Sequence, residues 1–494
     1  MRLNDYTKKK EDRMEDRVKV KTVSNFIWRF AERTAAQLVS FAVSIILARI
    51  LAPEAYGTVA LVTVFTTILQ VFVDSGLGTA LIQKKDADDL DFSSVFYFNF
   101  TVCLILYAGM FMAAPWIADF YGRPELVPLV RVLSLTLVIS GVKNIQQAYV
   151  SKHLLFKRFF FATLGGTIFS AVCGIFLAYR GAGVWALVVQ QLMNATIDTT
   201  ILWITVKWRP KLMFSWNRLK GLLSYGWKLV VSSFLSTVYS NLQSLIIGKV
   251  YTATDLAYYN KGDQLPTLVI VNINTSIDSV LLPVMSSVQD QEGRIKAMTR
   301  QSIRISSYII WPMMIGLAAC SKPLIALLLT DKWLPCVPYL RIFCMIYAFH
   351  PIHTANLNAI KAMGRSDIFL KLEIVKKVID LMTILITVQY GPLVMAFGVM
   401  LTTPLGAFVN AFPNKKLLRY SFKEQMLDLL PCILLAFFMG TVIWPIQYLV
   451  LPNIAIVAIQ VVAGVLVYML GSMIFRMEAF ATVLGIVKSF LKKS

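Results

Sequence analysis

Three groups of residues in this 494-residue chain have the types and spacing to do chemistry. The first is a set of polar faces within apolar sequence. Asn25, Arg29, Arg33, Gln37, Ser40 and Ser44 recur at steps of three or four, one face of a helix, with Glu32 beside them. About 200 residues later Lys228, Ser232, Ser236 and Ser240 repeat the pattern, with Asn241 and Ser244 adjoining. Thr63, Thr67, Gln70 and Asp74 share another face, and Asn272, Asn274, Thr275, Ser276, Asp278 and Ser279 crowd a fourth segment. The second group is His350-Pro351-Ile352-His353. Its imidazoles suggest a metal, but they lack nearby carboxylates, and a helix kink at Pro351 is the favoured reading. The third is Asp86-Ala87-Asp88 in KKDADDLD (84–91), literally the D-x-D of many glycosyltransferases. It stands in an acidic run, and neither a Walker A sequence nor a Rossmann fingerprint occurs. No catalytic residue, metal site or cofactor is therefore expected, and the chain does not read as an enzyme.

The elements that must position these groups are set by composition. Hydrophobic residues make up 57% of the chain and charged residues only 15%, too few to cover several soluble domains. The same apolar content disfavours disorder. Runs of about 20 apolar residues mark transmembrane helices. Fourteen are expected: 22–48, 58–82, 92–114, 127–142, 159–178, 185–205, 222–248, 257–285, 305–320, 340–360, 372–388, 394–413, 425–444 and 454–475. None alternates as a barrel strand does. The fold class is an all-α polytopic membrane protein. Six cysteines without a C-x-x-C spacing read as small buried side chains.

Orientation follows from the basic residues. With both termini in the cytoplasm, the inner segments hold 34 Lys and Arg against 6 in the outer ones. Nearly all of the +21 net charge is thus an orientation signal facing the inner leaflet, and no nucleic-acid partner is implied.

A shift of about 200 residues superposes Trp28-Arg29 on Trp227-Lys228, Ala48-Arg49-Ile50 on Gly248-Lys249-Val250 and Pro53-Glu54 on Thr254-Asp255. The expected organisation is a cytoplasmic tail (1–21), a six-helix bundle (22–205), a basic cytoplasmic linker (206–221), a second six-helix bundle (222–413), helices 13 and 14 (414–475) and a cytoplasmic tail (476–494). The best polar faces fall on helices 1, 2, 7 and 8, which are equivalent pairs under the repeat. They point to a hydrated central cavity lined by Arg29, Glu32, Arg33, Gln37, Lys228, Asn241 and Asn274. Its fixed cations would attract a diphosphate or an acidic sugar. Close helix packing and snorkelling of Arg29 and Arg33 to headgroups remain the structural alternatives. Asp74 and Asp278, equivalent under the repeat, could couple protons or sodium, or simply pair locally. Asp198 and Asp380 stand outside the central four helices, Asp380 within reach of Lys376 or Lys377.

Ala48-Arg49-Ile50-Leu51-Ala52-Pro53-Glu54-Ala55-Tyr56-Gly57 resembles the R-x-L-x-P-E-x-[YF]-G segment of a known family, and Asp74–Gln83 resembles the stretch that closes its second helix. The chain is similar to the polysaccharide exporters and O-antigen-type flippases of the multidrug/oligosaccharidyl-lipid/polysaccharide (MOP) superfamily, in particular the colanic and teichuronic acid exporters. The resemblance implies two pseudo-symmetric bundles around a V-shaped cavity in the bacterial cytoplasmic membrane. It implies alternating-access transfer of an undecaprenyl-diphosphate-linked oligosaccharide to the outer leaflet. Partners would be that lipid-linked glycan, membrane lipids, and the polymerase and glycosyltransferases of the same pathway. By this resemblance Arg29, Arg33 and Lys228 would meet the diphosphate or an acidic sugar. Multidrug exporters and lipid-II flippases of the superfamily are the alternatives, ahead of a membrane-embedded glycan transferase.

Overall fold

A computed structural model describes residues 34–493, Ser75 and Asp290 apart, and every regular element among them is helical. The chain divides into two compact units, residues 1–254 and 255–494.

The first unit contains α1 (Thr34–Ile50), α2 (Pro53–Asp74), α3 (Leu77–Gln83), α4 (Asp89–Tyr121), α5 (Leu126–Leu133), α6 (Leu135–Lys152), α7 (Phe156–Tyr179), α8 (Val184–Thr205) and α9 (Trp216–Val250). Gly76 breaks the second span at φ +61°, separating α2 from α3. A Cβ placed on it would lie 3.1 Å from the carbonyl oxygen of Gly226, so two glycines let α9 meet the break backbone to backbone. α4 starts where Asp88 and Asp91 form a reciprocal capping box. α9 packs on α2, α3 and α4 within the first unit.

Segment 206–215 runs across the start of α4. The Lys211 and Ser215 backbone N–H groups donate to Ser93 Oγ and Ser94 Oγ at 3.0 and 2.9 Å. The Trp208 indole donates to Asp89 at 3.1 Å, while its ring packs against Phe92 and Tyr149. Lys211 pairs with Asp89 at 2.6 Å, Arg218 with Asp88 at 2.7 Å, and Lys84 with Asp91 at 2.6 Å. Asp88, Asp89 and Asp91 fasten this segment and the start of α9, which gives Asp88 of the D-x-D a structural role.

The second unit contains α10 (Ala253–Ser286, from Asp255), α11 (Glu292–Leu329), α12 (Val337–Ala348), α13 (His350–Ala362), α14 (Ser366–Thr387), α15 (Pro392–Leu417), α16 (Phe422–Ile443), α17 (Asn453–Ile474) and α18 (Glu478–Lys493). The apolar run 340–360 is broken at Phe349, and Pro351 sits in the first turn of α13, where its missing N–H costs nothing. Asn356, Asn414 and Gln425, with no exposed surface, bond to one another and tie α13, α15 and α16 together. Asp428 of α16 takes Arg300 through two bonds of 2.6 and 2.7 Å and Arg304 at 2.5 Å, both from α11. Within 476–494, Glu478–Lys493 form α18, held at its first residue by Glu478 on Arg304 at 2.6 Å.

Nine helices among the described residues are long and apolar enough to cross a membrane. The chain is a multi-pass membrane protein.

Candidate functional site

In the first unit α6 carries the polar chemistry into the apolar layer. Lys143 Nζ meets Asp198 of α8 at 2.5 Å, and the Asn144 amide donates to the Val73 carbonyl at the end of α2 at 2.6 Å. Asp74, the next residue, accepts from Gln70 at 3.3 Å and feels the charge of Lys143. Small residues let the helices close around this network. A Cβ on Gly141 would collide with Cys103 of α4, and one on Gly166 of α7 would press on Asn194 and Asp198.

The second unit holds a cavity of about 380 Å³ whose lining includes Asp278, His350, His353, Asn358, Lys376 and Asp380. α10 and α13 are joined by two rungs, Asn274 to His350 at 2.5 Å and Asn358 to Asp278 at 2.6 Å. Asn410 of α15 bonds His353 at 2.8 Å. Lys376 pairs with Glu373, one turn earlier on α14, at 2.5 Å.

The expected cavity residues are distributed as follows. Arg29, Glu32 and Arg33 lie outside the described residues. Gln37 is half-buried on α1, and Lys228 is exposed on α9. Asn241 spends its amide on the Thr237 carbonyl of its own helix at 2.8 Å. Asn274 and Asp278 come together with residues of α13 in the second unit, whereas Asp74 joins Lys143 and Asn144 in the first.

One residue of these networks escapes the sequence reading. Lys143 falls just past the expected span 127–142 because its charge ends the apolar window; the unbroken i, i+3, i+4 register through Ile145, Ala148 and Lys152 marks it as helical. His350 and His353, expected as flanks of a kink in preference to metal ligands, both line the cavity, with Pro351 in the first turn of α13. Outside the membrane, Asp88 is held below the usual carboxylate range by the Asp91 N–H and by Arg218. Asp367 falls to about 2 because Arg365 grips it through two bonds of 3.0 Å.

The structure matches an inward-closed lipid II flippase MurJ with a TM-score of 0.73 at 16% identity, over 91% of this chain and 98% of that one. It matches an inward-facing multidrug resistance MATE transporter of the MOP superfamily with a TM-score of 0.60 at 16% identity, over 79% and 98%. The polysaccharide biosynthesis protein family model covers residues 46–338, more than half of the chain, and the chain belongs to that family. Among relatives, the Bacillus subtilis teichuronic acid biosynthesis protein TuaB is 25% identical, over 61% of this chain and 63% of its own length. The Escherichia coli lipopolysaccharide biosynthesis protein WzxC is 22% identical, over 81% and 83%. The resemblance carried by Arg49–Gly57 and Asp74–Gln83 to polysaccharide exporters of the MOP superfamily holds.

Proposed function

We propose that this protein moves an undecaprenyl-diphosphate-linked oligosaccharide from the inner to the outer leaflet of the bacterial cytoplasmic membrane, for surface polysaccharide biosynthesis, by alternating access and without catalysing a reaction. The observation that carries this reading is the family match over residues 46–338 together with a lipid-flippase fold over 91% of the chain. The multidrug-transporter likeness accounts for less of it, 79%.

In this reading the chain spans the membrane fourteen times, with two pseudo-symmetric six-helix bundles (22–205 and 222–413), helices 13 and 14 appended, and both termini in the cytoplasm. Arg29, Arg33 and Lys228 provide the positive charge that draws the diphosphate or an acidic sugar, with Glu32, Gln37, Asn241 and Asn274 on the same polar faces. The prenyl chain stays in lipid. Asp74 and Asp278 belong to the coupling machinery in this reading: Asp278 accepts the Asn358 amide from α13, and Asp74 adjoins the Val73 carbonyl that accepts the Asn144 amide from α6. Lipid-linked glycan and membrane lipids are the partners, together with the polymerase and glycosyltransferases of the pathway.

The test is the double variant Arg29→Ala/Lys228→Ala in a strain whose glycan export depends on this protein. Export is expected to be lost while membrane abundance and helical content stay at wild-type levels. Surviving export would sink the charged-cavity reading.

A further inference from the structure

Two imidazoles in the second unit are held in the same uncommon way. The Asn274 side-chain amide faces Nδ1 of His350 at 2.5 Å, and the Asn410 amide faces Nδ1 of His353 at 2.8 Å. In both asparagines the amide oxygen Oδ1 is buried without a hydrogen-bond partner. Leaving one such oxygen bare costs about 1–3 kcal/mol, and here there are two, one beside each histidine.

Imidazole chemistry gives the reason. A neutral ring with its proton on Nε2 presents Nδ1 as an acceptor, which suits an amide NH2. A charged ring presents Nδ1–H as a donor, which suits the amide oxygen. A primary amide serves both states by a half-turn about its last bond, so the orphaned oxygen is the acceptor for a proton that has yet to arrive. We propose that His350 and His353, each read by its own asparagine, form a proton-binding site in the cavity between α10, α13, α14 and α15. Binding adds a proton from water to the Nδ1 lone pair. No protein bond breaks, and the charge rises by one for each ring.

The surroundings fit a proton better than a metal. α10 presents Asp278, α13 presents Lys361, and α14 presents Lys376 and Asp380, with Glu373 on Lys376. α12 brings Tyr347, its ring 5.7 Å from that of His350; α15 contributes Thr402, Thr403 and Asn410, none of which titrates. α11 packs on this region through Trp311 against Phe349. Among the described residues no three His, Cys, Asp or Glu side chains gather closely enough to hold a metal ion. Lys376 also brings an ammonium to a place where a metal would need lone pairs. The consequence for motion lies in the two rungs between α10 and α13. A charge on His350 makes Asn274 turn and strengthens the pull of Asp278, so protonation grips α10. That this grip serves transport rests on the exporter reading; the proton site does not.

The experiment uses full-length protein in proteoliposomes on a solid-supported membrane, without sodium and without glycan. A pH step is expected to give a transient current whose amplitude follows a titration curve. His350→Gln/His353→Gln should lose that current, and Asp278→Asn, which keeps both rings, should move the midpoint to lower pH, because a carboxylate nearby favours the charged ring. Gel filtration and helical circular dichroism identify a misfolded double variant; the Asp278→Asn shift then decides. An unchanged current in a folded double variant, an unmoved midpoint in Asp278→Asn, or an equal current from a sodium step at constant pH overturns the proposal. Because no glycan is present, failure of the exporter reading leaves this result intact.

Discussion

Lys143 and Asp198 show what a single residue costs in this setting. Each charge is tolerable in the apolar layer because the other stands 2.5 Å away. Lys143→Met alone should therefore destabilise the protein by about 3–5 kcal/mol, since it strands a carboxylate that is nearly buried. Lys143→Met/Asp198→Leu should recover most of that loss. Thermal unfolding of the purified variants in detergent gives the ranking, and a double variant worse than the single would refute the pairing. Asp88 makes a pH-dependent contribution at the surface. Its folded pKa lies below the unfolded value of about 3.9, so its hold on Arg218 is fully present above that pH and fades as pH falls through the lowered value. Protection of the 206–215 amides, measured against the intrinsic exchange rate at each pH, should fall below about pH 4, and Asp88→Asn should show reduced protection already at neutral pH. The polar faces with Asn274 and Asp278 were legible in the sequence from spacing alone. Lys143 was not, because a hydropathy window treats a charge as an end, and the bonds to the imidazoles were not, because their amide partners come from helices distant in sequence.

The helices themselves follow from the apolar runs, but their strength as membrane spans is uneven. The first expected run begins outside the described residues; of the other thirteen, four are not long and apolar enough to qualify: α8, α10, the broken pair α12–α13, and α14. These are the elements that bear Asp198, Asn274, Asp278, His350, His353 and Lys376. The polar residues that make these spans less apolar, and the break at Phe349, are also what brings the polar networks together. Helix ends were the less legible part, because capping boxes and glycine breaks are set by one or two residues. α11 is the clearest case: the apolar run ends near 305, yet the helix continues back to Glu292, where its arginines find Asp428. Gly76→Ala tests the break between α2 and α3. A side chain in the left-handed region costs about 1–2 kcal/mol, and here it would also press on Gly226. The expected outcome is a lowered melting temperature, with Gly78→Ala, 3.3 Å from the Asn144 side chain and at an ordinary helical φ, as a milder comparison.

At the scale of the whole molecule, the compact division falls between Thr254 and Asp255, beyond the linker that the repeat suggests, because α9 packs where its own glycine meets Gly76. Side-chain labelling tests the proposed orientation. Val450 is fully exposed and Leu212 nearly so, and of the six cysteines all but Cys173 are buried. In a Cys173→Ser background, Val450→Cys should react with an impermeant maleimide in intact cells and Leu212→Cys only after permeabilisation; the reverse pattern would invert the topology. The uneven polarity of the helices also bears on biogenesis. α8 and α14 are less apolar than their neighbours, and each is joined by a short turn to a more apolar helix, α7 before α8 and α15 after α14. Glycines let these hairpins close tightly, Gly166 and Gly174 in the first and Gly398 in the second. Each pair is therefore expected to enter lipid as a unit: α8 follows a companion already made, whereas α14 precedes its own, so truncation after α14 should lower its membrane insertion more than truncation after α8 lowers that of α8.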